Sequence, residues 1–332
     1  MTILVTGGAG YIGSHMVHEL VDAGEPVVVL DNLSTGFRFL IPAAVPFVAG
    51  STGDRELVAK TIARHGVTAV IHFAASIVVP ESISAPLDYY RNNTMNTCAL
   101  LDVAIEAGVK QFIFSSTAAV YGNAEQVPVR EDAATLPISP YGMSKLMSEI
   151  MLHDAGKAHG LRFVVLRYFN VAGADPKLRT GQSTPAATHV IKVACEAALG
   201  KRPKMNVFGT DYPTPDGTCI RDYVHVSDLA RAHSAALAHL RRGGESATFN
   251  CGYGRGSSVL EVIDAVRRAS GRDFPVEIAG RRAGDPPALV ANVDRIRATL
   301  DWRPQFQDLD TVVAHAFAWE KRLARNRAIA AA

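Results

Sequence analysis

Short apolar runs alternate with longer stretches of helical period through the first half of the chain. Ile3-Leu4-Val5, Val27-Val28-Val29-Leu30, Ala69-Val70-Ile71-His72, Phe112-Ile113-Phe114 and Phe163-Val164-Val165-Leu166 read as buried strands. Helical spacing fills the intervals 11–23, 55–65, 92–107 and 141–159. Asp54, just before Arg55-Glu56-Leu57, has the position of a helix N-cap. Strands and helices in this alternation predict right-handed crossovers and an α/β fold built on a doubly wound parallel sheet of the Rossmann kind. After about residue 172 the rhythm changes. Loops rich in Pro, Gly and Thr (173–185, 209–218, 281–287) separate predicted helices near 186–199, 227–240, 257–269 and 308–324. The pattern divides the chain into a large domain over 1–172 and a smaller C-terminal α/β domain over 173–332, some of whose segments are expected to return to the sheet.

With 332 residues, 48% of them hydrophobic, the chain can bury a sizeable core. Lys and Arg number 34 against 32 Asp and Glu, a balance that argues against a nucleic-acid partner or an anionic membrane surface. Cys98, Cys195, Cys219 and Cys251 are scattered without CxxC spacing, so reduced thiols are expected rather than disulfides or a metal site. No basic leader precedes the first strand, and no apolar run reaches the roughly 18 residues of a membrane span. A soluble, cytoplasmic protein is the expectation.

Candidate chemistry begins where the first strand ends. Thr6-Gly7-Gly8-Ala9-Gly10-Tyr11-Ile12-Gly13-Ser14 carries glycines in GxxGxxG spacing between a strand and a helix. Gly7 and Gly10 permit a tight turn and close approach to a pyrophosphate, and Gly13 lets helix and strand pack closely. Asp31 ends the second strand, where a carboxylate accepts from ribose hydroxyls and repels a 2′-phosphate; this selects NAD over NADP. Phe73-Ala74-Ala75, past the third predicted strand, offers small residues to the cofactor.

Tyr141 and Lys145 form a YxxxK pair at the start of a predicted helix, and residues four apart share a helix face. Each unit by which a phenol falls below its ordinary pKa near 10 takes about 1.4 kcal/mol, which a nearby ammonium and a positive nicotinamide can supply in a dry site. Ser115-Ser116-Thr117 ends the fourth predicted strand, at the carboxyl edge where such sheets bind ligands. Thr117 is placed to hydrogen-bond the hydroxyl that Tyr141 deprotonates. The pair by itself indicates oxidation of a carbinol.

On these motifs the chain resembles the extended short-chain dehydrogenase/reductases, and within them the UDP-glucose 4-epimerase family closely. The likeness runs through TGGAGYIGSH (6–15), DNLSTG (31–36), VIHFAA (70–75), PES (80–82), FIFSSTAAVYG (112–122), SPYGMSKLMSE (139–149), LRYFNVAGADP (166–176), VFGTDYPTPDGTCIRDYVHVSDLA (207–230) and RRAGD (281–285). The resemblance implies Tyr141 as base, Lys145 as its electrostatic helper and nicotinamide-ribose ligand, and Thr117 as hydroxyl partner. It implies NAD contacts from Tyr11, Ile12, Asn32, Ser34, Ser51, Thr52, Asn92, Ser115 and Tyr168 in addition to the glycines, Asp31 and Phe73 to Ala75. For the UDP-sugar it implies Asn170, His189, Val190, Asn206, Val207, Phe208 beside the uracil, Tyr223, and Arg221, Arg282 and Asp285 around the pyrophosphate and ribose; arginine forks match phosphate geometry.

The chain departs from the family pattern at three places. Gly50-Ser51 stands where the family carries Gly-Asp near the adenine, so Ser51 is expected to accept that hydrogen bond or the contact is lost. His189 holds a position often occupied by asparagine, and Leu289 the position whose size is linked to room for an N-acetyl group.

The resemblance implies reversible interconversion of UDP-glucose and UDP-galactose: oxidation at C4 to a 4-keto intermediate, rotation, and re-reduction with bound NAD. A UDP-N-acetylglucosamine, UDP-xylose or UDP-glucuronate epimerase stays open beside it. A 4,6-dehydratase is disfavoured because Ala118 and Ala119 follow Thr117 where dehydratases carry an acidic pair. An inactive NAD-binding regulator would tend to lose Tyr141 or Lys145. By analogy, helices at 92–107 and 141–157 would pair across a homodimer.

Overall fold

The computed structural model describes residues 1–185, 187–282 and 285–331, the side chains of residues 326–331 excepted. The predicted helix start at Ala186, and Ala283 and Gly284 of the RRAGD motif, lie outside the described residues.

The first half supplies strands β1 (Thr2–Thr6), β2 (Val27–Asp31), β3 (Phe47–Ala49), β4 (Val67–His72), β5 (Gln111–Thr117) and β6 (Arg162–Tyr168). Between them run α1 (Tyr11–Asp22), α2 (Arg55–His65), the short α3 (Val79–Ser84) and α4 (Pro86–Tyr89), a π-helical turn (Tyr90–Met95), α5 (Asn96–Glu106) and α6 (Pro140–His159). The second half adds β7 (Asn170–Ala172), α7 (Val190–Ala198), β8 (Met205–Phe208), β9 (Ile220–Arg221), β10 (Tyr223–His225), α8 (Val226–Arg241) and β11 (Ala247–Cys251). It ends with β12 (Ser257–Ser258), α9 (Val259–Ser270), β13 (Val276–Ala279), β14 (Ala288–Leu289), α10 (Asp294–Thr299) and α11 (Leu309–Ala331).

Seven of these strands form one sheet in the order β3-β2-β1-β4-β5-β6-β11, all parallel. Helices cover both faces, which is why the strands read as continuous apolar runs. Alternate residues then divide between two cores. Ile3, Val5, Val29, Ile113 and Leu166 pack with Met16 and Leu20 of α1 and with Leu229 and Leu237 of α8. Leu4, Val28, Phe112, Phe114 and Val165 pack with Val58 of α2, Leu100 of α5 and Leu152 of α6. Asp54 caps α2, accepting from the Leu57 N–H at 3.0 Å.

Two stretches beyond residue 172 lie against the main sheet: α8 shares a face with α1, and β11 closes the edge beside β6. β10 lies parallel to β7, pairing Tyr223 with Asn170. A separate core gathers α7, α9 and α11 around β8 and β13. The helix expected from 92 differs from its prediction, because its first turn is the π-helical Tyr90–Met95. Hydrophobic period does not distinguish that wider turn from α-helix.

Candidate active site

β1 and β4 are neighbours whose chains leave toward opposite edges of the sheet, so the crevice above them is the topological switch point where doubly wound sheets bind ligands. The glycine loop after β1 meets the segment after β4 there. Gly7 adopts φ +69, and a Cβ on it would stand 2.5 Å from the Ala74 nitrogen. A Cβ on Gly13 would collide with the Gly7 carbonyl oxygen. Gly10 is the N-cap of α1 and no side chain caps that first turn, so its N–H groups are left for an anion, with Tyr11 and Ile12 directly behind. The cradle and the open helix terminus fit the pyrophosphate of NAD.

Asp31 has a second role that the sequence reading missed. Its carboxylate accepts from the Ala9 N–H at 2.8 Å and the Leu33 N–H at 2.7 Å, bracing the glycine loop and the turn after β2 together. Burial pushes this carboxyl up, and the two backbone donors pull it back. Asn32 accepts from the Ser34 N–H at 3.0 Å, forming an exposed turn beside it. Ser51 accepts from the Gly53 N–H at 3.1 Å and Thr52 is buried behind it. One acceptor position of the Ser51 hydroxyl is therefore taken by its own turn, leaving the other for the adenine contact.

Phe73, Ala74 and Ala75 are half-buried along the crevice, and the Phe73 ring lies 4.7 Å from that of His233. Asn92 donates to the Ser76 hydroxyl at 2.9 Å. The neighbouring Asn93, not singled out from sequence, is the fully buried one. It accepts from the Ser76 N–H at 2.7 Å and donates to the Ser76 carbonyl and to the Ser144 hydroxyl of α6. Asn93 thus fastens the segment after β4 to α6, and the π-helical turn carries both asparagines.

Ser139 caps α6, accepting from the Gly142 N–H at 3.2 Å, with Pro140 in the first turn. That start places Tyr141 and Lys145 over the end of β5, both buried. Lys145 donates to the Ser115 carbonyl at 2.8 Å, and its ammonium sits 4.9 Å from the Phe114 ring centroid. The Ser115 hydroxyl pairs with the Tyr168 phenol. Thr117, whose hydroxyl accepts from the Ala119 N–H at 3.1 Å, stands beside the Tyr141 phenol. Burial raises the Tyr141 pKa and the Thr117 hydroxyl lowers it. Burial likewise pushes the Lys145 ammonium down to about 7. Within the protein, burial therefore outweighs the Thr117 hydroxyl at the phenol, and the positive nicotinamide expected beside it is the charge that would favour the phenolate.

Across the crevice, Asn170, Tyr223, His189 and Val190 line one pocket with Tyr11, whose phenol donates to the Gly173 carbonyl at 2.7 Å. His189 Nδ1 lies 2.7 Å from the Gln182 amide nitrogen. A second group forms farther out. The Arg282 guanidinium lies 4.4 Å from the Phe208 ring centroid. Arg221 donates to the Ile220 and Pro286 carbonyls at 2.9 Å and pairs with Asp285 at 3.5 Å. The two residues before Phe208 on β8 face opposite ways. Val207 is 1% exposed with its side chain in the core of α7, α9 and α11, and Asn206 points to the opposite, exposed face. Strand alternation separates Val207 from Phe208 and places Asn206 on the same face as Phe208.

The model of the NAD-dependent epimerase/dehydratase family matches residues 3–252. A UDP-glucose 4-epimerase of Azospirillum brasilense is 62% identical over 324 residues, covering 98% of this chain and 93% of that protein. The crystal structure of the Brucella ovis UDP-glucose 4-epimerase in complex with NAD superposes with a TM-score of 0.93 at 45% identity, covering 96% of this chain and 97% of that one. The Bifidobacterium longum UDP-glucose 4-epimerase, in complex with NAD+ and UDP, gives 0.92 at 36% identity over 97% of this chain and 98% of that one. The chain belongs to the NAD-dependent epimerase/dehydratase family.

Proposed function

We propose that this enzyme interconverts UDP-glucose and UDP-galactose by removing hydrogen at C4 and returning it to the other face of the sugar. The observation that carries the reading is the convergence of Tyr141, Lys145 and Thr117 beside a dinucleotide cradle, with Phe208, Arg221 and Arg282 grouped on the facing side. NAD bound in the cradle supplies the hydride acceptor and, while oxidised, the positive charge that the buried phenol lacks. Gly7, Gly10, Gly13, Asp31 and the segment Phe73 to Ala75 hold it; Tyr168 and Ser115 border its reactive end.

Tyr141 takes the proton of the 4-hydroxyl, Thr117 orients that hydroxyl, and Lys145 stabilises the phenolate. Arg282, Arg221 and Asp285 hold the nucleotide, while Asn170, His189 and Tyr223 border the pyrophosphate and sugar. A firm grip on UDP and a loose one on the hexose lets the 4-ketopyranose turn without leaving. Ala118 and Ala119 follow Thr117 and carry no acid, which disfavours elimination chemistry. Leu289, half-buried and level with Arg221 on the neighbouring strand, stands where an N-acetyl group would be judged.

A homodimer is supported by Met95, Met147 and Ile150, which are 63%, 40% and 52% exposed on the neighbouring π-helical turn and α6. All four cysteines are free, consistent with work in the cytoplasm. The test is a panel of UDP-galactose, UDP-N-acetylgalactosamine, UDP-xylose and UDP-glucuronate. Fastest turnover of UDP-galactose supports the reading, and preference for a uronate or pentose replaces it.

A further inference from the structure

Tyr141, Lys145 and Glu149 recur every four residues along α6 and so share one face of it. Lys145 and Glu149 are 3% and 2% exposed. The ammonium's direct partners, the Ser115 carbonyl and the Phe114 ring, carry no full negative charge. Glu149, one turn on, does.

Its carboxylate is held from two strands at once. Arg167 of β6 grips it from two of its nitrogens, at 2.6 Å and 3.1 Å, and the Ser116 hydroxyl of β5 donates to it. Ser116 and Arg167 are register partners in the sheet, as are Thr117 and Tyr168 next to them. The clamp therefore sits one residue behind Thr117 and Tyr168 and joins both strands to the catalytic helix.

We propose that Glu149 is a positioning residue for the reaction: through the buried Ser116–Glu149–Arg167 clamp it keeps Lys145 in its ammonium form and in register with Tyr141. The proposal rests on the roles of Tyr141 and Lys145 given above. Burial works against the ammonium, and Glu149 is the neighbouring charge that favours it. The other titratable groups facing the pair do not replace it. His72, beneath Lys145 on β4, is pushed down to about 3 by burial and is neutral at working pH. His153, one turn beyond Glu149, is lowered too. Tyr121 is raised by burial and donates to Asn250, and it is the Glu131 backbone carbonyl that accepts from Arg167.

The test is a pH titration of the Lys145 side chain by NMR in 13C-lysine-labelled holoenzyme, its signal assigned by its loss in Lys145→Arg. In Glu149→Gln the apparent pKa of Lys145 falls by about half a unit or more, since removing an opposite charge disfavours the ammonium. The alkaline limb of turnover moves to lower pH with it. Arg167→Lys keeps both charges while losing the guanidinium fork, and its Lys145 titration stays at the wild-type position even where turnover drops. If Glu149→Gln does not fold, Glu149→Asp draws the charge back by one methylene and gives a smaller acidward shift. A Lys145 titration that ignores the substitution, with activity lost uniformly across pH, would show Glu149 to be only structural and overturn the proposal. Wild-type protein that fails to turn over UDP-galactose would instead count against the proposed function, leaving the titration to decide the role of Glu149.

Discussion

The Lys145 ammonium donates to the Ser115 carbonyl across 2.8 Å, so α6 is fastened to the end of β5 by the group proposed to serve the Tyr141 phenol. Removing the amine takes away both that hydrogen bond and a buried positive charge. Lys145→Met is expected to lower kcat by two or more orders of magnitude, because the buried Tyr141 then loses the ammonium one turn along the same helix face. Lys145→Arg, which keeps the charge but not the geometry, is expected to recover only part of this, as read from initial rates at several pH values.

Gly13→Ala places a methyl against the Gly7 carbonyl oxygen, a backbone atom that cannot step aside. Overpacking of this kind costs about 1–3 kcal/mol, and here it also opens the cradle. The variant should purify with much less bound NAD, measured by absorbance after denaturation, and melt at lower temperature. Full NAD occupancy would remove the cradle from the account.

Asp31 accepts from the Ala9 N–H in addition to its proposed contact with the ribose, so exchanging it is not a simple switch of cofactor. Asp31→Ser is expected to lower NAD affinity and thermal stability together, without a compensating gain in NADP affinity. Isothermal titration with both dinucleotides checks this; tight NADP binding at unchanged stability would contradict it.

Arg282 lies over the Phe208 ring, and its proposed contribution is to holding the nucleotide. Arg282→Gln should raise KM for UDP-galactose about 10- to 100-fold, the loss of one charge-assisted contact, while kcat changes little. An equal fall in kcat would place Arg282 nearer the chemistry.

Three buried histidines make the protein acid-sensitive. Burial lowers His72 from 6.5 to about 3, and His15 and His233 from 6.5 to about 4. Between the unfolded value and these folded values the unfolded chain binds more protons. Stability is therefore intact above pH 6.5 and falls as the pH drops toward 4, by about 1.4 kcal/mol per pH unit for each histidine. His72→Gln, between the Thr6 and Thr97 hydroxyls, should flatten that slope in denaturant melts. A slope unaffected by the change would exclude His72 as a source.

What was legible in the sequence is what is local in the chain. The glycine loop, Asp31 at its strand end and the YxxxK pair are each written within a few residues, and the strand–helix alternation orders them. Less legible were features made by distant pairings. Arg221 meets Asp285 across 64 positions, and Glu149 meets Arg167 and Ser116 only after two strands align. Glu149 did offer a signal, a charge four residues beyond Lys145 on the same helix face. Asn93 offered none against its neighbour Asn92, since the choice depends on the π-helical turn. Val207 could have been set aside from alternation alone, because Met205 and Val207 share the buried face of β8.

Incubating wild-type protein and Tyr141→Phe with UDP-galactose, without added reductant, and following UDP-glucose formation tests whether the tyrosine drives epimerisation. Sustained wild-type turnover toward an equilibrium mixture is expected, with kcat reduced at least about 100-fold in Tyr141→Phe while the protein is still folded and NAD still bound. Near-wild-type turnover by Tyr141→Phe, or none by NAD-loaded wild type, would contradict the proposed function.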